Sequence, residues 1–256
     1  MSFSSTDYVG HLFGASSLEA EDNIARLDRT LADLLAHVDK RIGLQHVLVV
    51  LSADHGQPDV PGYLNELGIT NAHYFDPKAL DKTPAIAALK EKFGIGEELI
   101  EAFFQPYLYL DRDLIRTKGL DQAEVENAVA AELEKFEGVA AAVSSTAMRT
   151  SNLPDTLLIR SILRNFQSKR SGDIYLVFEP NVFINDFDGL TVASTHGSPW
   201  RYDTYVPVMF AGAGLKPQSV SRPVTPYDIA PTLATYLGIA PPSGAIGNPL
   251  AEVVGD

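Results

Sequence analysis

The run HVLVVLSADHG, residues 46–56, limits the possible folds more than any other stretch of the chain. His46 to Leu51 is almost continuously apolar and rich in β-branched residues, the pattern of a strand covered on both faces within a parallel sheet. Strands of that kind present ligands at their carboxyl ends. Asp54, His55 and Gly56 fall there, so they read as candidates for a site rather than for packing. The flanking pattern keeps alternating. Ser16 to Ile42 places Ile24, Leu27, Leu31, Leu34, Leu35 and Val38 at helical spacing, with Ser16 and Glu19 as a capping box and Gly43 as the stop. Further helices are expected over Ala79 to Phe93, Glu97 to Phe104, Asp121 to Glu137 and about Tyr227 to Leu237. Strands are expected over Gln105 to Asp111, Val139 to Val143, the run DIYLVFEPNVFI split by Pro180 and Asn181, Leu190 to Thr195, and VPVMFAG. The alternation predicts an α/β chain with a mostly parallel sheet flanked by helices, and a small α+β lobe inserted at roughly residues 95–180.

Composition decides what the candidate site can be made of. Lys and Arg total 20 against 33 Asp and Glu, a net charge of 20 − 33 = −13, which argues against general nucleic-acid binding. The chain has no cysteine, so disulfides, thiolate metal sites and thiol catalysis are excluded. Any metal must be held by nitrogen and oxygen. No apolar run approaches the roughly 20 residues that span a bilayer, so no membrane partner is expected. The opening MSFSSTDYVGH lacks the basic and apolar regions of a signal peptide, which implies a cytoplasmic protein or a missing beginning.

Three short stretches carry chemistry: DYVGH (Asp7 to His11), ADHG (Ala53 to Gly56) and STHGS (Ser194 to Ser198). Each sets a histidine beside a glycine, which permits sharp turns and close approach. The Asp-x-x-x-His spacing of Asp7 and His11 aims both side chains at one ion if they lie a helical turn apart. Other residues read as structural. His37 belongs to a helix, His46 starts a strand, and His73 with Asp76 forms a turn; Trp200, Arg201, Tyr202 and Asp203 brace the His196 loop.

Taken in order, DYVGH before a long helix, a strand running into SADHG, then STHGSPWRYDTYVPVMFAGAGL and TPYDIAPTLATYLGI resemble the alkaline phosphatase superfamily. The nearest branch is the bacterial alkaline phosphatases related to nucleotide pyrophosphatase/phosphodiesterases. The resemblance is specific at the three motifs and the last helix and loose from about Pro61 to Lys169. It implies two zinc ions at the carboxyl edge of the sheet. Asp7, His11 and His196 match the ligands of one, and Asp54 and His55 match two ligands of the other. It further implies a phosphate ester substrate, monoester hydrolysis through a covalent phospho-enzyme, and a periplasmic or secreted full-length protein.

The chain also departs from the family pattern. The family's threonine or serine nucleophile and one aspartate ligand lie well upstream of the DYVGH-like motif, and only six residues precede Asp7 here. Ser4, Ser5 and Thr6 do not stand in the nucleophile's context. The expectation is the C-terminal part of an alkaline-phosphatase-like domain, incomplete on its N-terminal side, without a nucleophile, with at most one zinc and prone to self-associate through uncovered sheet. Two alternatives stay open: a phosphodiesterase or nucleotide pyrophosphatase of the same superfamily, and a catalytically silent metal-binding domain. A manganese-using phosphoglycerate mutase fits the three motifs less well.

Overall fold

The computed structural model describes residues 1–150, 153–187, 189–212 and 214–255. They form two compact units, one of Met1–Phe3, Glu21–Gly56 and Tyr205–Asp256, the other of Ser4–Ala20 and Gln57–Thr204.

The first unit is built on a two-stranded ribbon, β1 (Leu48–Ser52) antiparallel to β10 (Val208–Gly212). Most of the long helix α2 (Leu18–Arg41) belongs to it, as do α10 (Ile229–Leu237) and α11 (Ala251–Val254). Helix α2 follows the periodicity of its sequence, yet none of its residues is buried. The ribbon is similar. Leu51 and Met209, paired across it, are 40% and 49% exposed. The expectation that β1 is covered on both faces is therefore corrected: among the described residues the ribbon has two strands, and neither carries a buried residue. Gly212 closes the ribbon at φ 144°, where a Cβ would lie 2.0 Å from the Val47 carbonyl oxygen. Asp228 fixes the start of α10, accepting from the backbone N–H groups of Thr225 and Asn248, both at 2.8 Å. Burial opposes its ionisation, but those donors together hold its carboxyl below the usual range.

The second unit holds a four-stranded antiparallel sheet in the order β3 (Ile100–Phe104), β4 (Tyr107–Leu110), β6 (Ile174–Phe178), β5 (Val139–Ser144). Alternation sends Leu108, Leu110, Ile174, Leu176 and Phe178 to one face, where α4 (Pro84–Lys92), α5 (Arg112–Thr117) and α6 (Gln122–Leu133) cover them with Ile86, Ile115, Val125 and Val129. Tyr107, Tyr175 and Val177 point to the other face, against α7 (Ser145–Thr150) and α8 (Leu157–Asn165) through Met148, Ile159 and Ile162. Burial pushes the Tyr175 hydroxyl up to about 12. Helix α3 (Pro61–Glu66) precedes β2 (His73–Tyr74), which pairs in parallel with β7 (Val182–Phe183). Strands β8 (Asp186–Phe187) and β9 (Leu190–Thr191) make a small antiparallel hairpin.

The chain is α/β, with pairing that departs from the expected mostly parallel sheet. Among the described residues, β2 with β7 is the one parallel pair. Glu97 to Phe104, expected as helix, instead supplies β3, because the hairpin with β4 gives its backbone a ladder.

Asp81 links the helical and sheet layers. It is 5% exposed and accepts from Leu99 N at 2.9 Å, Ile100 N at 2.8 Å and Lys90 Nζ at 2.6 Å. Burial alone would raise its pKa; the Lys90 ammonium and the two amides outweigh burial and lower it. A carboxyl lowered by folding contributes stability above its unfolded pKa of about 3.9, lost as pH falls through the lower folded value. Asp81→Asn should therefore cost about 2 to 3 kcal/mol at neutral pH, leaving Lys90 without its counter-charge, and much less at a pH acid enough to protonate Asp81 in the folded chain. Urea unfolding at both pH values checks this, and an equal penalty at the two would refute it.

Candidate metal centre

The second unit assembles a cluster from two distant stretches. Helix α1 (Ser5–Phe13) carries Asp7 and His11 one turn apart, on the same face. His11 is 8% exposed. Its backbone carbonyl accepts from Ala193 N at 2.8 Å and Ser194 N at 3.3 Å, which docks the segment before His196 onto the end of the helix. Its ring Nδ1 lies 2.8 Å from the Ser194 carbonyl oxygen. A carbonyl can only accept, so Nδ1 carries the hydrogen and Nε2 is the ring nitrogen turned toward Asp7. Ser194 is itself fully buried and donates its hydroxyl to Pro58 O at 2.7 Å. Tyr74 adds a second brace, donating to Ala193 O at 2.7 Å.

His196 reaches the same point from the loop that follows. Gly197 turns the chain at φ 103°. Ser198 is then tied to Asp203, in the short helix α9 (Arg201–Thr204), by its N–H at 2.7 Å and its hydroxyl at 2.6 Å. Trp200 donates its indole N–H to Phe178 O at 2.9 Å, and the Tyr202 hydroxyl accepts from Asn181 N at 3.2 Å. Trp200, Tyr202 and Asp203 thus brace the loop, as their sequence position suggests.

Ligand atoms of Asp7, His11 and His196 all lie within 4.8 Å of one another. The buried Asp7 Oδ1 is 3.4 Å from His11 Nε2 and 3.3 Å from His196 Nε2. The edge of a tetrahedron of donors about 2.0 to 2.1 Å from a central ion is about 3.3 to 3.4 Å, so the two separations are compatible with ligands that could share one ion. The chemistry agrees with the geometry. A carboxylate oxygen facing an imidazole lone pair at this distance needs a cation, a proton or a metal ion, between them. One carboxylate and two imidazoles are a donor set that could hold zinc, and the hydrogen bond between His11 Nδ1 and Ser194 O is of the kind that would orient the ring toward an ion.

Asp54 and His55 stand at the end of β1 in the first unit. The Asp54 side chain is 92% exposed, 3.8 Å from His55 Nε2, and His55 Nδ1 lies 3.0 Å from Gly56 O. They are adjacent and accessible, without a third ligand of their own unit beside them among the described residues. His73 proves structural, with Nδ1 2.8 Å from Asn71 O, while Asp76 caps the turn after it by accepting from Lys78 N at 2.9 Å. The sequence does not single out the roles of Ser194, Tyr74 or Gln105, whose side-chain amide donates to His196 O at 2.9 Å. Ser194 sits inside STHGS and is legible in hindsight; the other two have no motif.

Comparisons with known proteins place the chain in a family. The family described as type I phosphodiesterase / nucleotide pyrophosphatase matches residues 1–199. The chain is 34% identical to alkaline phosphatase PafA of Elizabethkingia meningoseptica, over all of this chain and 45% of that protein. It is 38% identical to a protein of Myroides odoratus named as a calcium-transporting ATPase, over 99% of this chain and 45% of that one. The crystal structure of wild-type PafA superposes with a TM-score of 0.84 at 35% identity, covering 98% of this chain and 46% of PafA. The fold is thus that of an alkaline phosphatase, and the chain spans a little under half the length of these relatives. The chain belongs to the type I phosphodiesterase / nucleotide pyrophosphatase family, within the alkaline phosphatase superfamily.

Proposed function

We propose that this chain supplies metal ligands to a zinc-dependent phosphoester hydrolase that cleaves phosphate monoesters with two metal ions. In this reading Asp7, His11 and His196 hold one zinc, and Asp54 and His55 contribute to the second. The observation that carries it is the convergence of Asp7 Oδ1 with two imidazole Nε2 atoms at the spacing of zinc donors. Kinship with the family and with proteins named as alkaline phosphatases supports the reaction class. Bound zinc would act as a Lewis acid and offset charge on phosphoryl oxygens. The chain's own residues would set that up. Asp7 brings a negative charge against the ion, the Ser194 carbonyl keeps the His11 lone pair aimed at it, and the braced loop fixes His196.

A diesterase is the second reading, favoured by the family's description. Metal analysis of the purified chain tests the part common to both. Equilibrium dialysis against zinc should give one tight equivalent per chain, and a second held far more weakly because Asp54 and His55 offer two ligands where catalytic zinc takes three. Two equivalents of equal affinity, or none, would overturn the assignment. Parallel assays of the whole enzyme on an aryl phosphate and an aryl phosphodiester then separate the two activities by the ratio of kcat/KM.

A further inference from the structure

The geometry points to Gln105 as a positioning residue for the metal centre, one that holds His196 in place from the turn of a hairpin belonging to a different layer of the fold. The inference rests on the proposed metal centre. Gln105 lies between β3 and β4, and its Nε2 donates to the His196 carbonyl oxygen at 2.9 Å across 91 residues of sequence. A carbonyl only accepts, so the amide must face it with nitrogen. The neighbouring glycine makes room: a Cβ on Gly197 would come within 3.3 Å of that nitrogen.

Three ties then bracket the ligand. Two residues before it, Ser194 is bonded to Pro58 O and, through its own carbonyl, to the His11 ring. Two residues after it, Ser198 is bonded to Asp203. The Gln105 bond falls between these, on the peptide of His196 itself. The hairpin that delivers it is rigid, since β4 is paired on both sides and buries Leu108 and Leu110 in the core. Position is therefore transmitted from the sheet to a zinc ligand by one neutral hydrogen bond. Bonds to the ligating group itself typically change metal affinity by 10- to 100-fold; the Gln105 bond acts one step further back, on the ligand's peptide, so the low end of that range, about 10-fold, is expected, while a single neutral hydrogen bond contributes little to folding.

The experiment uses the full chain and the near-isosteric change Gln105→Glu, which replaces the donor by a carboxylate that repels the carbonyl, with Gln105→Ala alongside. Two quantities are read, the zinc dissociation constant by chelator competition and hydrogen exchange of residues 194–199 in the metal-free chain. Both variants should bind zinc about 10-fold more weakly and exchange faster in that segment, with the strands of the four-stranded sheet and the thermal midpoint nearly unchanged. Zinc affinity within twofold of the parent chain together with unaltered exchange would overturn the proposal. A large fall in midpoint with faster exchange throughout the sheet would overturn it too, because Gln105 would then be holding the fold and not the ligand. If the parent chain binds no zinc, the metal-centre reading fails; faster exchange confined to 194–199 would still support Gln105 as the residue that fixes His196, and unchanged exchange would refute it.

Discussion

His196→Ala should weaken the tight zinc site by roughly 10² to 10³-fold. Apparent binding free energies of about 10 to 16 kcal/mol for a fully ligated zinc, shared among its donors, make one ligand worth about 3 to 4 kcal/mol, and each 1.4 kcal/mol is tenfold. His11→Ala should do the same and more, because it also removes a buried ring whose Nδ1 satisfies the Ser194 carbonyl. Asp7→Asn is the sharper variant. It keeps an oxygen at the place where Oδ1 sits 3.4 Å and 3.3 Å from the two histidines and removes only the negative charge. A loss of comparable size would show that charge, and not shape alone, holds the ion. Asp54→Asn, which removes none of the three ligands of the tight site, should weaken the tight constant far less than these changes do. Chelator competition on the four variants decides the matter: a tight site indifferent to His196 and Asp7 would remove the basis of the assignment.

How much of this was legible in sequence differs by element. The site motifs were legible because their information is local. Asp7 and His11 are one helical turn apart whatever the rest of the chain does, and α1 provides that turn. Their convergence with His196 rests on contacts between distant stretches, Ala193 and Ser194 against His11 O, that spacing does not encode and that entered through family resemblance. Strand pairing was less legible. An apolar run such as LVVLS fixes a strand but not its partner or its direction, and β1 found an antiparallel neighbour with Leu51 left exposed. The stretch from Glu97 to Phe104 has Leu99, Ile100, Phe103 and Phe104 at positions that fit a helix as well as a strand, and short apolar runs stay ambiguous until a partner settles them. That partner was β4. Gln105 lay outside any motif because a polar residue in a turn has no local signature of what it will touch.

The largest expected effect concerns turnover by the 256-residue chain on its own, and it follows from what the hydroxyl groups near the centre are doing. Phosphoryl transfer of the proposed kind needs a hydroxyl held in line with the leaving group, with positioning and electrostatic terms supplying most of the acceleration. Ser194 has its hydroxyl committed to Pro58 O, and Ser198 has its own committed to Asp203. Ser5 is exposed at the start of α1. None of these is placed as a nucleophile, and groups that act as a unit fail as a unit. The zinc-loaded chain, assayed on an activated aryl phosphate and on the matching diester, should therefore turn over no faster than zinc in the same buffer. Rates above that background which disappear in His196→Ala would show that the chain carries a working nucleophile, and single alanine substitutions at Ser4, Ser5 and Thr6 would identify it. Background rates in every variant, alongside one tight zinc, would mean that this chain binds the metal and that the attacking group comes from elsewhere.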